Sequence, residues 1–163
     1  FSLLLSLPSS YEEDIFNNIR NLIHEGNSET LNEMFLDCLE ENTNILLSEK
    51  WLNLIEIWLQ SENIPAKKIG LSALTRLIQN KDFDYFPKIF AILTPLFSEP
   101  TIEIRHDLMQ TVREMISRTE QETVSFLISI TKLHTSKENR VFLRRCAPLF
   151  SLDLQNEMKN ALC

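Results

Sequence analysis

The apolar positions of this chain fall on helical stripes, and the stripes repeat. In PAKKIGLSALTRLIQN, residues 65–80, Ile69, Leu71, Leu74, Leu77 and Ile78 share one helical face, and Pro65 suits a first helical position, where no N–H is needed. Shifted by 38 residues, Leu71 meets Met109, Leu74 meets Val112, Leu77 meets Met115 and Ile78 meets Ile116. The preceding stretch moves in phase, since Leu52, Leu54 and Ile55 map onto Phe90, Ile92 and Leu93, and Phe90 onto Ile128. A period of that length is the size of a two-helix unit that buries its apolar faces against copies of itself.

Taken in order, the pattern predicts four helix pairs and a cap. Ser9 or Ser10 starts a helix with Glu12, Glu13 and Asp14 in its first turn and Gly26 as its stop, and Asn27 or Ser28 starts its partner, running to about Glu41. Ser48 caps a helix with Trp51, Leu52, Leu54, Ile55, Trp58 and Leu59, apolar around more than half its circumference, and residues 65–80 complete the second pair. Asp84 is expected to cap the next helix, with Pro87 in its first turn and Pro95 as a kink or last turn. Thr101 then opens a long helix ending near Arg118. Thr119 and Glu122 form a capping-box pattern ahead of an apolar helix over Thr123 to His134, and Ser136 to Phe150, bent at Pro148, closes the fourth pair. The last segment offers Leu152, Leu154, Met158 and Leu162 to cover the open end of the stack. The expectation is one all-α domain, residues 1–163, built as an α-solenoid.

Composition narrows this picture without changing it. Only 2 glycines in 163 residues disfavour a turn-rich β fold and Gly-rich phosphate loops. Cys38, Cys146 and Cys163 are odd in number and contain no C-x-x-C, so they read as free thiols in a reducing, cytoplasmic setting. The apolar opening FSLLLSL is far shorter than the ~20 residues that span a bilayer, so no membrane segment is expected and the stretch reads as the end of a preceding packed helix. A first residue of Phe suggests a chain that continues upstream. Net charge is −7, but residues 1–65 hold 12 acids against 2 bases, whereas residues 66–163 hold 11 against 14. A polyanion is repelled by the first part and weakly attracted by the second.

The candidate chemistry travels with the repeat. Lys67 and Lys68 recur 38 residues on as Arg105 and His106, and those recur after 39 as Arg144 and Arg145. Each doublet is expected near the start of the second helix of its pair, so stacking in register aligns Lys68, His106 and Arg145, or their neighbours, along one concave surface. Such a row suits phosphates through charge-assisted hydrogen bonds. The plainer alternative pairs one member of each doublet with an acid on the adjacent layer and leaves the other solvated. Trp51 and Trp58 share a face, with core packing as their expected role and base or ligand stacking as the alternative. His24, His106 and His134 lack metal-ligand spacing, and neither a G-x-S-x-G elbow nor a Walker loop is present, so neither metal nor cofactor is expected.

Two stretches, IEIWLQSENIPAKKIGLSALTRLI and EIRHDLMQTVREMISRTEQETVSFLISI, resemble consecutive repeats of the HEAT-like-repeat DNA alkylation repair family, glycosylases that excise alkylated purines; together they span Ile55 to Ile130, about half the chain. The resemblance implies a right-handed α-solenoid of about four HEAT-like helix pairs plus a C-terminal capping helix. It also implies an active-site Arg position at Lys67 or Lys68 and a catalytic acid near Glu33. The places of the family's lesion-cradling tryptophans fall near Glu29 and Asp107, where acids would repel a phosphate backbone. Three functions follow as expectations. The first is a non-enzymatic binding module that takes DNA or an acidic protein on Lys67, Lys68, Arg105, His106, Arg144 and Arg145. The others are an alkylpurine DNA glycosylase or lesion binder, and a scaffold segment of a larger protein.

Overall fold

The computed structural model describes residues 49–133 and 136–162, and all regular structure among them is helical. The chain divides into two compact units, Phe1–Asn80 and Lys81–Cys163. The first helix pair expected from sequence, together with Glu29, Glu33 and Ser48, lies outside the described residues.

In the first unit α1 (Glu49–Gln60) packs against α2 (Ile64–Gln79). The near-continuous apolar run of α1 goes under: Trp51, Ile55 and Trp58 are fully buried, Leu52, Leu54 and Leu59 nearly so, and the two indoles meet edge to face at 6.5 Å. Ligand stacking on either tryptophan is therefore ruled out in this state, and core packing is what the indoles do. Asn63 caps α2 by accepting from the Ala66 N–H at 3.2 Å, and Pro65 occupies the first turn, where its missing donor costs nothing. Gly70 is where the two helices come closest. A Cβ there would lie 2.9 Å from Leu59 Cγ and Cδ2 and 3.2 Å from Trp58 Cβ, so only hydrogen fits.

The second unit begins with α3 (Phe86–Ser98). Its cap differs from the expectation at Asp84: Tyr85 is the N-cap, with no side-chain cap bond, and Asp84 contributes only its carbonyl, 3.0 Å from the Phe86 N–H. Pro87 lies in the first turn, Pro95 in the last. A short 3₁₀ turn, Ile102–Ile104, leads into α4 (Arg105–Leu133), which is two helices joined at Thr119, where φ −155° and ψ 75° leave the helical region. The break falls where the capping box was expected, but the box itself is not made. The Thr119 hydroxyl is buried without a partner among the described residues, and its carbonyl accepts from the Thr123 hydroxyl at 2.7 Å.

Then come α5 (Lys137–Cys146), capped by Ser136 Oγ on the Asn139 N–H at 3.1 Å, a 3₁₀ turn at Ala147–Leu149 and α6 (Leu152–Ala161). Phenylalanines join these elements: Phe90 of α3 stacks on Phe126 of α4 at 4.8 Å, Phe97 meets Phe126 edge-on at 5.5 Å, and Phe97 also touches Phe142 of α5 at 5.8 Å. Asn139, fully buried, donates through Nδ2 to the Phe97 carbonyl. Met158 and Leu162 are buried as expected of a cap, whereas Leu152 is 78% exposed and Leu154 half-buried. Leu152 belongs to the first turn of α6, where its side chain faces solvent.

Candidate functional site

The three basic doublets occupy different kinds of helical position. Lys67 and Lys68 stand in the first turn of α2, placed there by the Asn63 cap and Pro65. Arg105 and His106 are the first two residues of α4. Arg144 and Arg145 lie in the last turn of α5 instead of near its start, because Ser136 begins that helix about one turn earlier in the repeat than Asn63 begins α2. The expectation of a common position near each helix start therefore holds for two doublets and is corrected for the third.

Within the second unit the two doublets nonetheless flank one contact. Cys146 Sγ lies 3.9 Å from Met109 Sδ. Met109 is one turn beyond Arg105, and Arg144 and Arg145 directly precede Cys146. Followed from Asn139 to Cys146, the partners of α5 progress from Phe97, at the end of α3, to Met109 in α4. Burial in this contact pushes the Cys146 thiol up to about 12, so it stays protonated and poorly nucleophilic.

In each doublet the first member is half-buried or bonded to a carbonyl, and the second is exposed. Lys67 is half-buried and Lys68 exposed. Arg105 is half-buried, with Nε donating to the Pro100 carbonyl at 3.0 Å, and His106 is exposed. Arg144 and Arg145 are both exposed, but Arg144 Nη2 reaches the Leu162 carbonyl at 3.4 Å. In the second unit the engaged arginines thus meet backbone carbonyls, a partner that the plainer reading of the doublets assigned to acids. Asp107 is half-buried next to His106 and supplies negative charge at that doublet.

Some groups that shape this surface leave no local mark in the sequence. Arg118 donates to the Phe83 carbonyl at 2.7 Å and lies 5.8 Å from the centre of the Phe86 ring, tying the segment before α3 to the end of the first half of α4. Glu120 Oε1 accepts from the Ser151 N–H at 2.6 Å. Only the tertiary fold brings these partners together, over separations of 35 and 31 residues. No cluster of His, Cys, Asp and Glu suited to a metal ion occurs among the described residues, and no helix among them is long and apolar enough to cross a membrane. No protein-family model, curated protein or solved structure matches the chain.

Proposed function

We propose that the chain is part of a right-handed α-solenoid of HEAT-like helix pairs and serves as a non-catalytic binding module, taking a phosphate-bearing or acidic protein segment on Lys68, His106 and Arg145. The observation that carries this reading is the division of labour within the doublets. The first member is drawn in or bonded to backbone, and the second is exposed, in all three repeats. Within the second unit, stacking in translation is supported by two contacts between residues about one repeat apart, Phe90 with Phe126 and Met109 with Cys146, at separations of 36 and 37 residues.

DNA is the less favoured partner. The net charge of −7 and the acid at Asp107 oppose a polyanion that must lie along many positions at once, whereas a short acidic segment can meet the cations locally. Glycosylase chemistry on this scaffold would need an acid such as Glu33 facing Lys67 or Lys68, cations without the planar fork of Arg. The scaffold reading, in which the chain is one stretch of a longer repeat array, is compatible with the binding module.

The test is charge reversal. Lys68→Glu, His106→Glu and Arg145→Glu together should abolish binding of a fluorescein-labelled acidic phosphoserine peptide at near-physiological salt, with the far-UV circular dichroism unchanged. Undiminished binding eliminates the surface. Duplex DNA carrying methylated purines serves as the second arm, and salt-dependent binding with purine release would favour the glycosylase reading instead.

A further inference from the structure

The C-terminal helix α6 is fastened at both ends by charged side chains from earlier elements. At its start Glu120 Oε1 accepts from the Ser151 N–H at 2.6 Å, and at its end Arg144 Nη2 donates to the Leu162 carbonyl at 3.4 Å. A carboxylate at the N-terminus and a guanidinium at the C-terminus each oppose the local end of the helix dipole. Between these fasteners little apolar surface goes under. Among the residues of α6 only Met158 is buried, joined by Leu162 at the C-cap, while Leu152, Asp153, Asn156, Glu157, Lys159 and Asn160 are exposed. Helices with few buried side chains are drawn from the low-stability end of a fold. By contrast α5, of the same length, buries Asn139, Phe142, Leu143 and Cys146.

The two fasteners differ in what they withhold. Glu120 belongs to no basic doublet, but Arg144 is half of one, and its partner is the carbonyl of Leu162, the C-cap of α6. We infer that α6 is a strap that opens independently of the rest of its unit, and that when closed its Leu162 carbonyl fixes the direction of the exposed Arg144 guanidinium. Opening frees that guanidinium to turn toward an anion held by Arg145, so the open form binds anions more tightly. By reciprocity an anion bound there favours opening. The coupling rests on the proposed anion-binding role of the doublets; the independent opening does not.

Hydrogen exchange on the full chain tests the first half. Amides of α6 should exchange well before those of α5 and of residues 120–133, and Glu120→Ala should accelerate α6 without accelerating them. Exchange of α6 in step with α5, or uniform acceleration by Glu120→Ala, overturns the strap. Binding of the fluorescein-labelled acidic phosphoserine peptide tests the second half. Glu120→Ala and, separately, Met158→Ala should each tighten Kd by up to about tenfold, the worth of one added charge-assisted contact, and adding Arg144→Gln should cancel the gain. A gain that survives Arg144→Gln, or no gain in either variant, overturns the coupling. If the peptide binds equally to the parent and to the variant reversed at Lys68, His106 and Arg145, the cationic surface fails and the coupling falls with it, while the exchange data still decide the strap.

Discussion

The close approach at Gly70 makes a substitution whose sign depends on its neighbour. In a helix interior Ala is favoured over Gly by about 1 kcal/mol, so Gly70→Ala in an isolated α2 would stabilise. In the folded pair the new Cβ would lie 2.9 Å from Leu59 Cγ and Cδ2, well inside the ~3.5–4.0 Å optimum for carbon atoms. Leu59 is almost fully buried and cannot swing aside, and Cγ is a branch point, not a flexible tip. Overpacking of this kind costs about 1–3 kcal/mol, which leaves a net destabilisation of about 1 kcal/mol. Leu59→Ala removes both clashing atoms and by itself should cost about 2–5 kcal/mol. In that background Gly70→Ala should turn neutral or stabilising, because the added methyl enters vacated space and the helix propensity is recovered. The assay is urea unfolding followed by tryptophan fluorescence. The chain has only 2 tryptophans, Trp51 and Trp58, and both lie in α1, so the signal reports the first unit. A Gly70→Ala variant more stable than the parent, or effects that simply add across the cycle, would refute the close contact.

Other consequences concern the second unit. Arg118→Ala should lower its stability by about 1–3 kcal/mol, through loss of the bond to the Phe83 carbonyl and of the cation over Phe86, as read by the circular-dichroism midpoint; an unchanged midpoint would show the clasp to be dispensable. Asn139→Ala strips the Phe97 carbonyl of a buried donor and should also cost about 1–3 kcal/mol, visible in the same unfolding curve. For Cys146 the thiol is raised from 9.0 to about 12, so the folded chain keeps a proton that the unfolded chain releases. Its contribution is fully present below about pH 9 and is lost as pH rises toward 12, at up to about 1.4 kcal/mol per pH unit. Cys146→Ala should flatten that alkaline decline relative to the parent, and identical slopes would contradict the burial.

Helix existence was legible because burial writes itself as a stripe. The apolar faces of α1 and α2 emerge at the residues the periodicity indicates, and the stop between Arg118 and Glu120 falls at the expected threonine. The chemistry of each boundary was less legible. Thr119 breaks α4 by its backbone angles while its hydroxyl makes no cap bond, and Asp84 yields its role to Tyr85, since sequence patterns specify which residue types can cap but not which neighbours compete. The doublets show the same limit. Their spacing is visible in the sequence, but Arg144 and Arg145 end α5 because Ser136 starts that helix early, and the carbonyl that engages Arg144 comes from Leu162, set by the docking of α6.

In the proposed arrangement the pairs stack in translation and Lys68, His106 and Arg145 fall in one row. Spin labels placed pairwise at Lys68→Cys, His106→Cys and Arg145→Cys, with Cys38 and Cys163 replaced by Ser, measure it directly by their three mutual distances. One helix layer per step, about 10 Å, predicts a distance from 68 to 145 close to the sum of the other two. A distance from 68 to 145 no longer than either of the shorter steps would mean that the helices close on themselves, and the row would not exist.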